Sequence, residues 1–371
     1  MIDKRIRSIV LLVVLVVLMY AFFSTIHTPR DVLSSEFTDE KLRKYAELET
    51  YQNFRANGKL FRPNSKARLP AESTVRQQLS FQFPFEPAKG FQKNIWQTWK
   101  VPLDDPDFPP KFKELQSTWT TNNPDYKHYV LPDDACHELI NQQYATVPHV
   151  VEAYNSMPKS ILKADFFRYL ILFARGGVYS DIDTRSIKPI DKWMSGDEKI
   201  YDKKNPTSIA IGIEADPNRP DWEDWYARRI QLCQWTIQAK KGHPLLRELI
   251  ANITDTTLTR KRNGQLTKVL GKDEGGDIMN WTGPGIFTDF VFKYLNNIVL
   301  SSQGHAGTED PITWKLFTGI SLPVVVDDVM ILPITSFSPG VNQMGAQSTS
   351  DPMAYAEHLF SGSWKPEDER M

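Results

Sequence analysis

Cysteine is almost missing from this chain, with Cys136 and Cys233 the only two in 371 residues. Two thiols cannot build a disulfide framework or a cysteine-based zinc site. They leave either one bridge or two buried free thiols. A surplus of one charge sign is missing as well, since 44 Lys and Arg balance 45 Asp and Glu for a net charge of −1. Basic residues are interspersed with acids, so no stripe is set to attract nucleic acid, and no nucleic-acid partner is expected. No internal repeat is visible. Disorder overall is excluded, because 41% hydrophobic and 12% aromatic residues suffice for one large core or two modest ones.

Long uncharged apolar runs are also scarce, with one exception. "IVLLVVLVVLMYAFF" runs from Ile9 to Phe23 and reaches Ile26 if Ser24 and Thr25 are tolerated, with Lys4, Arg5 and Arg7 ahead of it. At about 1.5 Å per residue it spans roughly 27 Å, close to the thickness of an early secretory bilayer. The flanking cations keep the N-terminus cytoplasmic and direct the remainder to the lumen. Cleavage of a signal peptide needs small residues at the right spacing, whereas Ala21 is followed by Phe22 and Phe23. The expected layout is a cytoplasmic tail over 1–8, a single-pass type II signal anchor over 9–26, a polar lumenal stem over 27–90 and a globular domain over 91–371. The sequons at Asn252 (N-I-T) and Asn280 (N-W-T) matter only on the lumenal side.

Within the globular part, "KNIWQTWK" has strand character and "PLDDPDFPP" reads as loop. "PTSIAIGIE" and "LPVVVDDVMILP" read as buried strands. "DWYARRIQLCQWTIQAKKG" and "HPLLRELIANI" read as helices broken at Gly242. Alternating strands and helices predict an α/β domain with a mainly parallel sheet. "TRKRNGQLTKVLGKDEGGD" reads as a surface insertion.

The most informative stretch is "ADFFRYLILFARGGVYSDIDT". A helix entering after Pro158 continues until Gly176 and Gly177 stop it, and places Asp165 and Arg168 three apart on one largely apolar helix. Buried, these two need partners, and pairing with each other as a structural bridge is the plainest choice. Beyond the glycines, the strand period of two puts Tyr179, Asp181 and Asp183 on one face. Two carboxylates converging at a strand's carboxyl end suit a hard divalent cation, Mg²⁺ or Mn²⁺, that binds a diphosphate. A D-x-D alone is weak evidence: Asp105 and Asp107 form another in a proline-rich loop, to which no role is assigned. A dehalogenase-type phosphatase would also begin from D-x-D after a strand, but Thr184 stands one place too early for it.

In this context "ILKADFFRYLILFARGGVYSDID" resembles the glycosyltransferases with a DXD-carrying sugar region, retaining metal-dependent enzymes of the GT-A type. With "KNIWQTWK", "DIMNWTGPGIFTD" and "VDDVMILPITSFSPG", the resemblance narrows to the family of fungal Golgi initiation-specific α-1,6-mannosyltransferases and covers about Phe91 to Lys365. It implies a single Rossmann-like nucleotide-diphospho-sugar transferase domain in the Golgi lumen, using GDP-mannose, Mn²⁺ and a mannose-rich N-glycan acceptor, and possible assembly with other Golgi mannosyltransferases. Asp183 would hold the metal directly, with Asp181 acting at the ribose or through a metal-bound water. Asp165 and Arg168 would hold donor-sugar hydroxyls. Gln97, Trp99 and Tyr179 would contact the donor, with Trp99 stacked on the base. Thr282, Gly283 and Pro284 would form a loop beside the sugar, His358 would complete the metal shell, and Ser363, Trp364 and Lys365 would touch the diphosphate. Trp222, Trp225 and Tyr226 could offer stacking faces to acceptor mannose, or serve simply as core. No carboxylate nucleophile is identifiable, which favours front-face retention. Two alternatives stand beside this reading: a catalytically silent glycan-binding subunit, and a paralogue with another acceptor.

Overall fold

The computed structural model describes residues 72–302 and 311–362, apart from positions 218, 342 and 344. The expected anchor, most of the expected stem and the segment 363–365 lie outside them. No helix among the described residues is long and apolar enough to cross a membrane.

In chain order the elements are α1 (Val75–Gln82), β1 (Asn94–Trp99), α2 (Pro110–Asn122), β2 (Lys127–Pro132), α3 (Asp133–Gln143), α4 (Pro148–Ser156), α5 (Ser160–Arg175), β3 (Gly177–Ser180) and β4 (Thr184–Ser186). A small hairpin, β5 (Lys199–Ile200) and β6 (Lys203–Lys204), precedes β7 (Ile209–Ala215) and β8 (Gln231–Ala239). The chain continues with α6 (Pro244–Arg262), α7 (Glu274–Trp281), α8 (Pro284–Ser302), β9 (Val324–Val326), β10 (Val329–Leu332) and β11 (Ala356–His358).

Seven strands form the central sheet in the order β2-β1-β3-β8-β7-β10-β9. It is mixed rather than mainly parallel. The pairs β1–β2, β1–β3 and β7–β10 are parallel, whereas β8 runs against both β3 and β7, and β9 against β10. The antiparallel β8 lies in the stretch expected to be helical. All nine of its residues are buried, so it shows no alternation of apolar and polar positions, and its glutamines mimic a helical spacing. "LPVVVDDVMILP" is likewise two strands, β9 and β10, joined by a tight turn at Asp327 and Asp328.

The sheet carries its main core on the face covered by α5, α6 and α8, where Phe166, Phe173, Leu249 and Phe287 are all inaccessible to solvent. Helix α1 belongs to this core: Leu79 and Phe83 are buried within it. The packed body therefore starts upstream of Phe91, inside the stretch expected to be stem. A second cluster built on Trp193, Trp235, Phe337 and Tyr355 covers the other face. Cys136 and Cys233 are both buried and free.

Helix α5 is the element that positions the site. Eleven of its residues are buried, including the charged Asp165 and Arg168. Gly176 ends it with φ +65°, its N–H donating to Leu172 O at 2.8 Å. Gly177 then allows β3 to lie close to β1, where a Cβ would sit 2.3 Å from Asn94 O. The chain thus passes from the buried helix straight into the central strand, which ends at Ser180 just before Asp181.

Candidate active site

Strand β3 stops at Ser180, and the D-x-D occupies the turn that follows rather than the strand itself. Asp181 is held at its backbone: its N–H donates to Trp235 O at 2.8 Å, and its carbonyl accepts from Gln97 Nε2 at 3.1 Å and Thr184 Oγ1 at 2.6 Å. Its carboxylate accepts from Tyr179 O–H at 2.8 Å and from Arg168 Nη2 at 3.1 Å. The same guanidinium donates through Nη1 to Asp165 Oδ1 at 2.6 Å. Arg168 is therefore more than the partner of Asp165. It ties the helix carboxylate to the D-x-D carboxylate.

The other lone pairs of Asp165 are also used. Gln234 Nε2 donates to Oδ1 at 3.2 Å, and Thr282 O–H donates to Oδ2 at 3.0 Å. Tyr169 O–H bonds both Gln234 Oε1 and Thr282 O, closing a buried polar network across α5, β8 and the end of α7. Such a network specifies one arrangement because each member is costly to leave unpaired.

Asp183 lies on the other side of the turn. Its Oδ2 accepts from both the N–H and the O–H of Ser361, at 3.0 and 2.6 Å, and its Oδ1 lies 3.1 Å from His358 Nε2. Burial would raise its pKa, but the His358 and Ser361 interactions outweigh that and lower it to about 2. Asp181 moves the opposite way: burial raises its pKa, Arg168 opposes this, and neighbouring Asp183 adds to the rise. Pairing of β11 with β4 sets His358 opposite Thr184. The imidazole stacks on Trp235 at 4.4 Å between centroids, and its Nδ1 is buried without a hydrogen-bond partner among the described residues.

Asp181, Asp183 and His358 each bring one ligand atom within 4.8 Å of the others. Two carboxylates and an imidazole suit Mg²⁺ or Mn²⁺, and a cation between the acids would offset the repulsion that Asp183 adds to the effect of burial on Asp181. The residues fit a divalent metal.

Of the remaining predicted residues, Gln97 and Tyr179 reach Asp181, and Thr282 reaches Asp165, as described above. Gly283 follows at the helix end, its N–H donating to Ile278 O at 3.0 Å, and Pro284 opens α8. Trp99 instead packs edge-on against Phe112 at 4.8 Å, in a small cluster with Phe108 and Leu115. In the N-W-T stretch Asn280 is exposed on α7, but Thr282 is wholly buried against Asp165, which fits a loop behind the site better than a glycan acceptor. Asn252 lies in the middle of α6, with Thr254 of its sequon wholly buried, a poor position for a glycan. Trp222 and Trp225 stand in a short 3₁₀ turn and its cap, not on a helix. A cavity of about 240 Å³ opens beside Thr98 at the end of β1, and Asp133, His137, Lys159 and Lys163 are among its walls.

Three contributors escaped the sequence reading: Ser361, Gln234 and Glu214. Glu214 sits on β7, accepts from Gln231 Nε2 at 3.2 Å, and has its pKa raised by burial to about 7. A strand reading of "QLCQWTIQA" would have flagged Gln234 as a polar residue in a central strand. Nothing local marks Ser361.

The description "Glycosyltransferase sugar-binding region containing DXD motif" matches residues 109–200, which include both acids of the D-x-D. Over 368 residues the chain is 59% identical to the initiation-specific alpha-1,6-mannosyltransferase of Candida albicans, covering 98% of this chain and 96% of that protein. The chain belongs to the initiation-specific α-1,6-mannosyltransferase family. The Saccharomyces cerevisiae protein of the same name is 40% identical, covering 80% of this chain and 82% of its own length. Outside this family, inositol phosphoceramide mannosyltransferase 3 of Schizosaccharomyces pombe is 33% identical over 161 residues, 43% of this chain.

Proposed function

We propose that this enzyme transfers mannose from GDP-mannose to a mannose-rich N-linked core glycan, with retention, forming the α-1,6 linkage that starts the outer chain. The observation that carries the reading is the Arg168 bridge, which couples a sugar-side carboxylate, Asp165, to the metal-side Asp181 in a family member similar over nearly its whole length. Asp181, Asp183 and His358 would hold Mn²⁺, which supplies positive charge against the diphosphate as it departs. Arg168 fixes the orientation of both acids. Asp165 and Thr282, both buried and bonded to each other, back Arg168 on the side proposed for the donor sugar, and the cavity beside Thr98 suits the nucleoside, with Asp133 available to accept from a base N–H.

Double displacement would need a free anionic carboxylate beneath the sugar. Asp165 is consumed by Arg168, Gln234 and Thr282, and Glu214 stays largely protonated below about pH 7. Front-face attack is favoured: the acceptor hydroxyl approaches beside the leaving diphosphate, whose oxygen takes its proton. The reading extends to an uncleaved anchor over 9–26, a Golgi lumenal catalytic domain and association with other Golgi mannosyltransferases.

The test uses the purified full chain, because α1 lies upstream of Phe91 and fills part of the core. Offered GDP-mannose, Mn²⁺ and a series of defined acceptors, it should add mannose to the N-glycan core, with linkage analysis showing an α-1,6 bond. Chelation should stop the reaction and added Mn²⁺ restore it. No transfer despite an intact cluster, or transfer only to inositol phosphoceramide, overturns the reading.

A further inference from the structure

A second concave site lies outside the acidic cluster. The loop 216–230 joins β7 to β8, and a pocket of about 420 Å³ forms in it, lined by Arg219, Pro220, Trp222, Arg229 and, from a 3₁₀ turn before β9, Trp314. Its volume falls within the roughly 300–1,000 Å³ of small-ligand sites. Both β3 and β7 run against β8, so the loop leaves the sheet at the edge where Asp181 stands.

The pocket is built on a rigid base. Asp216 is fully buried and accepts from Arg229 Nη1 at 2.9 Å, from Thr318 O–H at 2.9 Å and from Gly319 N–H at 2.7 Å. The Arg229 guanidinium lies 4.5 Å from the centre of the Trp314 ring, which fixes that indole in place. Arg219 pairs with Asp221 and lies 5.1 Å from the ring of Trp225, an indole that is 64% exposed.

Two features choose the ligand. Each arginine already has its own carboxylate, so the pocket offers no uncompensated charge to a diphosphate or another anion. The walls combine partly exposed indoles with guanidinium donors, which suits a neutral polyol: the C–H face of a sugar lies on an indole while its hydroxyls bond the guanidinium N–H groups. A purely apolar ligand would leave those donors unpaired.

We infer that this pocket is a subsite for the mannose-rich acceptor, binding a mannose unit away from the one that receives the new bond. The identity of the glycan rests on the function proposed above. The occupant approaches the reaction from the β7–β8 side, opposite the cavity beside Thr98 across the sheet order.

Calorimetric titration of the full chain with a mannose-rich oligosaccharide, without donor, reads the site independently of catalysis. Trp222→Ala and Trp314→Ala should each weaken binding about tenfold or more, and in turnover should raise KM for the glycan without a comparable rise in KM for GDP-mannose. Trp314→Phe keeps a ring in the partly buried position and should lose less, which separates stacking from misfolding. Glycan binding that depends on these tryptophans, even if no transfer occurs, supports the subsite while the mannosyltransferase reading fails. Transfer by the wild type with unaltered glycan affinity and KM in Trp222→Ala and Trp314→Ala overturns the subsite and leaves that reading intact.

Discussion

Asp183→Ala should reduce mannosyl transfer by at least about 10³-fold while leaving a folded protein, because it deletes the carboxylate held most firmly in its anionic form. Loss of that oxygen pair also frees Ser361 and His358, so a small fall in stability, about 1–2 kcal/mol, is expected. Relief of repulsion on Asp181 offsets part of it. Asp183→Asn separates the two effects: an amide oxygen can still accept from Ser361, so stability should be nearly restored while transfer stays lost. Kinetics at saturating Mn²⁺ together with denaturant unfolding checks both. Turnover close to wild type in either variant would refute the role assigned to Asp183. The pH dependence has a definite sign, since a carboxylate with a lowered folded pKa stabilises above its unfolded value of 3.8 and loses that contribution as pH falls toward about 2.

Arg168→Ala has the largest expected effect on the fold. The guanidinium is 4% exposed and neutralises Asp165, itself 2% exposed, together with Asp181. Removing it leaves a buried carboxylate with no cationic partner, at a cost of about 3–5 kcal/mol. For a domain of this size that corresponds to a fall of roughly 10 °C in Tm. Arg168→Lys is the informative comparison. A single ammonium keeps the charge but lacks the planar fork that reaches both acids, so stability should recover in part while transfer remains impaired. Unchanged stability and turnover in Arg168→Ala would show that the bridge holds nothing together.

The sequence made α5 and its two charges legible because a long, largely apolar run, a leading proline and a terminal glycine pair all agree. The D-x-D was legible for the same reason: it follows directly from that stop. Its mate was not. Ser361 lies 178 residues away from Asp183, and only the pairing of β11 with β4 brings them together. His358 was reached by resemblance rather than by chemistry. β8 was misread because a strand buried on both faces shows no alternation, and its polar members are satisfied by distant partners: Gln234 by Asp165 and Tyr169, Thr236 by Ser180. That error hid two things at once, the mixed direction of the sheet and the place of Gln234 beside Asp165. Trp225, in the stretch expected to be helical, stands with Trp222 on a loop whose form is set by buried Asp216, a long-range anchor that no local period records.

The most direct test of the central claim, that the turn after β3 and the end of β11 jointly hold a divalent cation, is anomalous diffraction from crystals of this enzyme grown with manganese and GDP. One manganese peak should lie at Asp183, with Asp181 and His358 beside it and the diphosphate completing its ligands. A manganese ion bound elsewhere, with those three side chains turned away from it, would contradict the claim.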